Sequence, residues 1–390
     1  MAAVLEKPYV APAPAETQAE TQPQAKTLTH THIAELDGVR AIAIWLVLIS
    51  HLYWGFKVPP DTYDGMPKLI YEIISHGWLG VDLFFILSGF LITGILLDSK
   101  ERAGYFRTFY GRRILRILPV FFLCIFVMSF FYNNAAYFLL SIFFLANFAE
   151  GLGVPTPHGP GVFWSLCIEE HFYLLWPVLV KYLSRQRLAL LAILIVIVTP
   201  ALRWWGVTHG MSIDMEVYSY SWFRFDGLAM GALLAICVRS SAATLRNLLL
   251  LAATLVAASV IITIIGRPYG IMGKTAVGVG LRYTQVSLIF AAFVLSVITL
   301  RGTFATALLR TWFTNISGKL SYCLYLIHLA VGDAVYQLTV ARNEALYARF
   351  GSFGWVTLRG LIILVISFAL AALSQRFIEG PFLRLKKHFA

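Results

Sequence analysis

The chain has 390 residues, of which 59% are hydrophobic and only 13% are charged, whereas soluble globular proteins carry about 25% charged residues. This composition excludes an ordinary soluble domain and predicts a polytopic membrane protein. The formal net charge of +11 is explained by basic loops on the cytoplasmic face of a membrane. We therefore predict no nucleic-acid partner. The four cysteines lie far apart in apolar stretches, a pattern that indicates neither a disulfide framework nor a metal site.

Residues 1–32 differ in composition from the rest of the chain. They are rich in Ala, Pro, Gln and Thr and lack the apolar core of a signal peptide. A segment of this kind cannot bury enough apolar surface to offset the entropy lost on ordering. We therefore predict a disordered tail over 1–32, a transmembrane domain over 33–385 and a basic cytoplasmic tail over 386–390.

Apolar stretches long enough to cross a membrane recur along this domain. A helix needs about 20 apolar residues to span the hydrocarbon core, and one further stretch, 137–148, is too short to do so alone. The sequence therefore predicts an all-α integral membrane bundle of about ten transmembrane helices plus one short re-entrant or interfacial segment. The predicted spans are 35–56, 76–97, 114–132, 163–181, 188–206, 220–238, 247–265, 279–300, 318–340 and 354–376.

Lys and Arg residues in the short loops set the predicted orientation. The loop after the second span carries five of them, and the loops around 181–187, 239–246 and 301–316 are also basic. Loops 133–162 and 207–219 contain none. This bias predicts that both termini lie in the cytoplasm.

The first span, LDGVRAIAIWLVLISHLYWG, holds ionisable residues that apolar segments rarely contain. Arg40 and His51 are eleven positions apart, which places them on one helix face with a rise of about 16 Å between them. Intramembrane ionisable groups are costly and usually face a bundle interior or a water-filled path. We therefore predict a polar track along this face, with Asp37 as a supporting residue. The alternative is that Arg40 only reaches the membrane surface and that His51 only packs.

The second span, HGWLGVDLFFILSGFLITGILL, places Asp82 inside an apolar helix and Ser88 six residues beyond it. A buried carboxylate needs a partner, so both residues are site candidates. The glycines of this span indicate close helix packing.

The basic stretch FYGRRILRILP places Arg113 and Arg116 on one helix face at the predicted cytoplasmic boundary. The forked, permanently charged guanidinium group suits phosphate binding, so the pair is a candidate phosphate clamp. The alternative is ordinary flanking charge of the positive-inside kind.

The stretch FWSLCIEEHFYLLWP is the densest polar cluster of the chain and opens a predicted span. Glu169 and Tyr173 share one helix face, with Trp164 and Ser165 one turn earlier. A carboxylate here fits general acid–base chemistry through a histidine, although Glu169 and Glu170 also suit a helix start as partners of its dipole.

The stretch SYCLYLIHL places Ser321, Tyr325 and His328 on one face of a later span. This face either supports the site or only forms hydrogen bonds between helices.

Taken together, these segments resemble the membrane-bound acyltransferase-3 family over about residues 33–385. These are bacterial inner-membrane O-acyltransferases that modify cell-surface and secreted glycans, with relatives acting on other acceptors. The resemblance rests on the order and spacing of the motifs. They are LDGVRAIAI followed by His51, GVDLFFILSGFLI, RRILRILP, FWSLCIEEHFYLLWP, RFDGLAMGALLA, LSYCLYLIH and FIEGPF.

The resemblance implies roles for individual residues. His51 takes the catalytic role and Arg40 a supporting or donor-binding role, while Arg113 and Arg116 contact acyl-CoA on the cytoplasmic side. Glu169 matches the family's acidic position better than Glu170 does, and it is predicted to be catalytic together with His51. The remaining site candidates come from the residues themselves and are predicted to bind substrate or support the site: Asp37, Asp82, Ser88, Trp164, Ser165, Tyr173 and His328.

The leading hypothesis is an integral inner-membrane O-acyltransferase that moves an acyl group, expected to be acetyl, from acyl-CoA to a carbohydrate or glycolipid acceptor. No metal is expected, and since the sequence ends at Ala390 we expect no fused SGNH-type esterase domain. His51 would act as a general base or form an acyl-imidazole intermediate. The competing hypotheses are a flippase or transporter without transferase chemistry, a non-enzymatic scaffold, and an acyltransferase with a non-carbohydrate acceptor.

Overall fold

The computed structural model describes residues 33–54, 65–271 and 273–389. These residues form helices and no strand, which confirms the predicted all-α class for this part of the chain. The tail predicted over 1–32 lies outside the described residues. The α-helices are α1 Ala34–Trp54, α2 Met66–Ile74, α3 Gly80–Ser99, α4 Tyr105–Ser129, α5 Ala135–Ile142, α6 Phe163–Tyr182, α7 Arg185–Thr208, α8 Phe225–Cys237, α9 Leu245–Gly266, α10 Ala276–Thr299, α11 Trp312–Thr339, α12 Asn343–Ser374 and α13 Gly380–Arg384.

Five helical segments of the described residues are long and apolar enough to cross a membrane. Nine of the ten predicted spans overlap α-helices of 20 to 32 residues, but the count of ten is not confirmed. The five segments are Met66–Ser99, Arg185–Thr208, Leu245–Tyr269, Ala276–Thr299 and Trp312–Phe389, the last of which runs through both α11 and α12.

The predicted span 220–238 is wrong in its length. It consists of a 3-10 turn, Ser221–Phe223, followed by α8, which has only 13 residues. Arg224 and Asp226 stand at the junction and bind buried partners on other helices. Those ion pairs fix a polar start for α8, where the sequence prediction had extended an apolar helix.

Helix α3 lies at the centre of the bundle, where it packs against α1, α6, α8 and α10. A Cβ atom at Gly89 would stand 1.9 Å from the carbonyl oxygen of Leu228, and one at Gly231 would stand 2.1 Å from that of Ile86. The two glycines therefore let α3 and α8 cross in backbone contact, as small residues do between membrane helices.

Helices α7 and α9 lie at the periphery. Only 11% of the apolar window of Leu245–Tyr269 and 22% of that of Arg185–Thr208 is buried, against 72% for Met66–Ser99. Their outward faces carry large apolar side chains such as Ile197 and Ile264. These faces suit contact with lipid, whereas α3 is enclosed by protein.

The short apolar stretch predicted over 137–148 contains the eight-residue helix α5 and a 3-10 turn, Ala146–Phe148. At about 1.5 Å per residue, α5 is about 12 Å long and cannot span a hydrocarbon core of about 30 Å. The buried hydroxyl of Tyr137 on α5 donates to the carbonyl of Pro160 at 2.8 Å. That bond ties the stretch to the loop that enters α6.

Candidate active site

A cavity with an empty volume of about 860 Å³ lies between α1, α3, α4, α6 and α11. Its wall combines apolar side chains of α3 with charged and hydroxyl groups of the other helices. Seven of the twelve site residues predicted from the sequence line it. They are Arg40, Ser88, Arg113, Arg116, Ser165, Glu169 and Tyr173.

The carboxylate of Glu169 is fixed from two sides. Ser88 on α3 donates its hydroxyl to Oε1 at 2.7 Å, and Tyr173, one turn along α6, donates its phenol to Oε2 at 3.0 Å. The guanidinium group of Arg113 lies 3.7 Å above the Tyr173 ring, a cation–π contact. These contacts join α3, α4 and α6 in one wall of the cavity and hold Glu169 beside a cation.

Three arginines give the cavity a positive end. Arg40 pairs with Asp37, one turn earlier on α1, at 2.8 Å. Arg113 and Arg116 form no ion pair with a carboxylate in the described part of the chain. A cavity wall with two unpaired guanidinium groups suits an anionic ligand.

His51 does not line this cavity but pairs with His328 on α11. The distance from His51 Nδ1 to His328 Nε2 is 2.8 Å, and the two rings stack with centroids 5.0 Å apart. His328 is 98% buried. Arg40 and His51 thus occupy different compartments along α1, the cavity and the histidine pair.

The hydrogen bonds of His328 assign the tautomers of the pair. Its Nδ1 lies 3.0 Å from the carbonyl oxygen of Leu324 and 2.9 Å from that of Tyr325. Both carbonyl oxygens are acceptors, so Nδ1 of His328 carries the proton. Nε2 of a neutral His328 then accepts a hydrogen bond. His51 then donates from Nδ1 to His328, and the lone pair of His51 Nε2 is left for a substrate. An imidazole whose tautomer and direction are fixed by a hydrogen bond to a second residue is typical of catalytic bases.

Tyr325 is a neighbour of both the cavity and the histidine pair. It lines the cavity, its ring lies 6.0 Å from the ring of His328, and its hydroxyl is 2.6 Å from that of Ser165. Tyr325 therefore connects the arginine-lined cavity with the helix turn that carries His328.

Asp82 and Trp164 lie beside the cavity and do not line it. Asp82 pairs with Arg224 at 2.8 Å, and both side chains are almost fully buried, so the partner expected for this carboxylate is an arginine at the start of α8. The Arg224 guanidinium also lies 5.8 Å from the Trp164 ring. These residues connect α3, α6 and α8 behind the cavity wall.

Two clusters of polar side chains in the structure were not predicted from the sequence. Arg203 on α7 bonds to Asp226, Thr284 and two carbonyl groups. Asp333 on α11 accepts from Tyr132 at 2.5 Å and pairs with His158 at 2.6 Å, and His158 lies within electrostatic range of the histidine pair. Ionisable residues inside apolar spans were the signal available for finding both.

The described residues contain no group of three His, Cys, Asp or Glu side chains arranged to hold a metal ion.

Similarity to known proteins extends over most of the chain. The acyltransferase-3 family model, described as an acyltransferase domain, matches residues 33–373. "Putative peptidoglycan O-acetyltransferase YrhL" of Bacillus subtilis (strain 168) is 32% identical over 199 residues, which cover 44% of this chain and 28% of that protein. The "Peptidoglycan O-acetyltransferase OatA" of Listeria monocytogenes (serovar 1/2a, strain ATCC BAA-679 / EGD-e) is 30% identical over 186 residues, 41% of this chain and 26% of that protein.

A longer match is to a protein of Staphylococcus aureus (strain COL) named as a putative O-acetyltransferase, 25% identical over 411 residues. It covers 90% of this chain and 57% of that protein, so the chain spans at most about three fifths of these relatives. No solved structure matches the chain. Because the family model covers most of the residues, the chain belongs to the acyltransferase-3 family.

Proposed function

We propose that the protein is an integral membrane O-acetyltransferase that moves an acetyl group from acetyl-CoA to a hydroxyl group of a cell-surface or exported carbohydrate. The observation that carries this proposal is that an arginine-lined cavity and an oriented histidine pair share Tyr325 as a neighbour. A donor site and an acid–base site in contact are what acyl transfer requires.

The donor end of the proposed site is the arginine-lined cavity. Acyl-CoA carries three phosphates and a long flexible arm that ends in the thioester. Arg113 and Arg116 hold the phosphates, as forked guanidinium groups do, while Arg40 lies deeper along α1. In this proposal the arm and the acetyl group lie in the cavity, and the nucleotide lies outside it.

The arginine end faces the cytoplasm in this proposal. The basic loops after α3, α6 and α8 contact one another, because Lys100 donates to the carbonyl of Leu183 at 2.6 Å and Arg185 to that of Arg239 at 3.1 Å. One basic face supports a cytoplasmic side. Ten membrane crossings, both termini in the cytoplasm and a bacterial inner-membrane location are the topology that we propose.

The chemistry proposed for His51 uses the lone pair on Nε2. The imidazole takes the proton of the acceptor hydroxyl as the oxygen attacks the thioester carbon, the C–S bond breaks, and the proton passes to the leaving thiolate. His328 keeps His51 in the required tautomer by accepting a hydrogen bond from its Nδ1–H group. The acyl-imidazole route would use the same lone pair as a nucleophile.

The acceptor end lies beyond Tyr325, on the side of His51. A carbohydrate is proposed because two of the relatives are named for peptidoglycan. Glu169, held by Ser88 and Tyr173, balances the arginine charge at the donor end and fixes the wall against which the acetyl-bearing arm lies. Asp37 does the same for Arg40.

The test of the function is CoA release from acetyl-CoA by the purified protein in nanodiscs, with a peptidoglycan fragment or crude glycan extract as acceptor. We expect acceptor-dependent release with labelled acetyl in the glycan. Arg113→Ala should raise the acetyl-CoA concentration needed for half-maximal rate by about tenfold or more, because a hydrogen bond to a charged group contributes about 1.5–3 kcal/mol. Arg107→Ala, an exposed change on the same helix, is the matched control and should behave like the unaltered protein.

Three outcomes separate the hypotheses. Movement of acetyl groups or glycolipid across a vesicle membrane without loss of thioester would identify a transporter. Acetyl transfer to a lipid or peptide but not to glycan would change the acceptor class. Failure to release CoA with every acceptor, from a protein that is folded and binds CoA, would reject the enzyme proposal.

Changing His328 tests its role as a positioning residue. His328→Ala should lower kcat about tenfold or more with little change in the KM for acetyl-CoA, since a lost buried hydrogen bond costs about 1–3 kcal/mol and 1.36 kcal/mol is tenfold in rate. His328→Gln should recover part of kcat, because the glutamine side-chain carbonyl can accept a hydrogen bond from Nδ1–H of His51. Equal kcat for the alanine and glutamine variants would show that His328 only fills space.

A further inference from the structure

The last residues of the described chain do not extend away from the bundle. Residues Leu385–Phe389 form a 3-10 segment that lies against α4. A Cβ atom at Gly111 would stand 2.2 Å from Cδ1 of Phe389 and 2.3 Å from its Cε1, so the phenyl ring occupies the space that this glycine leaves. Phe389 therefore fixes the segment beside the helix that carries the cavity arginines.

This docking brings another cation to the arginine cluster. Lys386 is half-buried and within electrostatic range of Arg112, Arg113 and Arg116. Arg116 also lies within range of Arg40. The repulsion among these like charges disfavours this arrangement unless an anion neutralises it.

The protein supplies only part of the neutralising charge. Glu379 attracts Arg116, and Glu169 and Glu170 attract Arg113, whereas the charges that act on Lys386 are arginines. Within residues 33–54, 65–271 and 273–389, neither Lys386 nor Arg112 nor Arg113 forms an ion pair with a carboxylate. The Nε atom of Arg113 is buried without a hydrogen-bond partner. A cluster of cations with an unsatisfied buried donor is a site for an external anion.

The position of this cluster of cations indicates which kind of anion it would bind. Arg113 and Arg116 line the cavity, whereas Arg112 is exposed and Lys386, in the C-terminal segment, is half-buried. The cluster thus leads from the cavity to the surface. A ligand that has phosphates at one end and a thioester at the other, separated by a narrow arm, fits this order.

We propose that Lys386, held in place by Phe389 at Gly111, is a donor-binding residue that contacts the phosphates of acyl-CoA outside the cavity. The proposal rests on the proposed function, and it extends the donor site from α4 to the end of the chain. Lys386 is then the one residue of the segment Leu385–Phe389 that we assign to the donor site.

The measurement is CoA binding by the full chain in phosphatidylcholine nanodiscs, by isothermal titration. Lys386→Ala should raise the Kd for CoA about tenfold, whereas Lys386→Arg should keep it. Lys387→Ala is the matched control, because Lys387 is exposed, and it should leave the Kd unchanged. Phe389→Ala should raise the Kd as Lys386→Ala does, and the double variant should add little, because both changes remove one contact.

The outcomes that overturn the proposal differ from those that overturn the donor assignment. No CoA binding by the unaltered protein would reject both. CoA binding that is equal in Lys386→Ala and the unaltered protein would reject this inference alone. A lipid phosphate is the other source of the same anion, so titrations are repeated with phosphatidylglycerol in the nanodiscs. If Lys386 affects CoA affinity only there, the cluster binds lipid and the inference fails.

Discussion

Replacing His51 with alanine is expected to lower the rate of acetyl transfer by about 10²- to 10⁴-fold, the range that a positioned acid–base group supplies. The lone pair of the His51 imidazole is directed by the part-buried hydrogen bond from Nδ1 to His328. The rate is measured at saturating acetyl-CoA and acceptor. The Kd for CoA should stay unchanged, because His51 does not line the arginine cavity.

The control for this variant is His209→Ala. His209 is exposed at the end of α7 and stacks on Trp205, so its removal should leave the rate unchanged. A His51→Ala protein that is folded, binds CoA and transfers acetyl at the unaltered rate would contradict the assignment of His51.

Replacing Arg203 with methionine should destabilise the protein by about 3–5 kcal/mol, because breaking a buried ion pair leaves an uncompensated charge. Arg203 is fully buried and pairs with Asp226 at 3.0 Å. It also donates to the carbonyl groups of Gly280 and Phe223, so one side chain ties α7 to α8 and α10. The midpoint of thermal unfolding in detergent measures the loss.

An exposed ion pair provides the comparison. In the pair Lys274–Asp214 the side chains are 64% and 68% exposed, and Lys274→Ala should cost no more than about 1 kcal/mol. The double change Arg203→Met with Asp226→Leu should recover part of the lost stability, since no unpaired charge then remains. Equal midpoints for Arg203→Met and Lys274→Ala would show that the buried network does not hold these helices together.

Local features of the fold could be predicted from the sequence because they follow helical periodicity. The span predicted over 163–181 is the helix Phe163–Tyr182. The shared face predicted for Glu169 and Tyr173 appears as a hydrogen bond between them. Both results follow from the 3.6-residue repeat and the length of the apolar stretch, which are properties of a single segment.

The partners of the polar side chains could not be predicted in the same way. His51 and His328 are 277 positions apart, and Asp82 and Arg224 are 142 apart. Periodicity gives the face of a helix on which a residue lies, but not which helix packs against that face. The motifs therefore predicted that Glu169 acts through a histidine, whereas its carboxylate accepts hydrogen bonds from Ser88 and Tyr173 in the structure.

The short helix α8 has a consequence for the membrane around it. Its 13 residues extend about 20 Å at 1.5 Å per residue, while a hydrocarbon core is about 30 Å thick. By itself α8 would leave about 10 Å of such a core unspanned. Its start carries Arg224, which is almost fully buried and paired with Asp82 of α3, so the charged end of α8 meets protein and not lipid. A bilayer would therefore need no local thinning to accommodate the short helix.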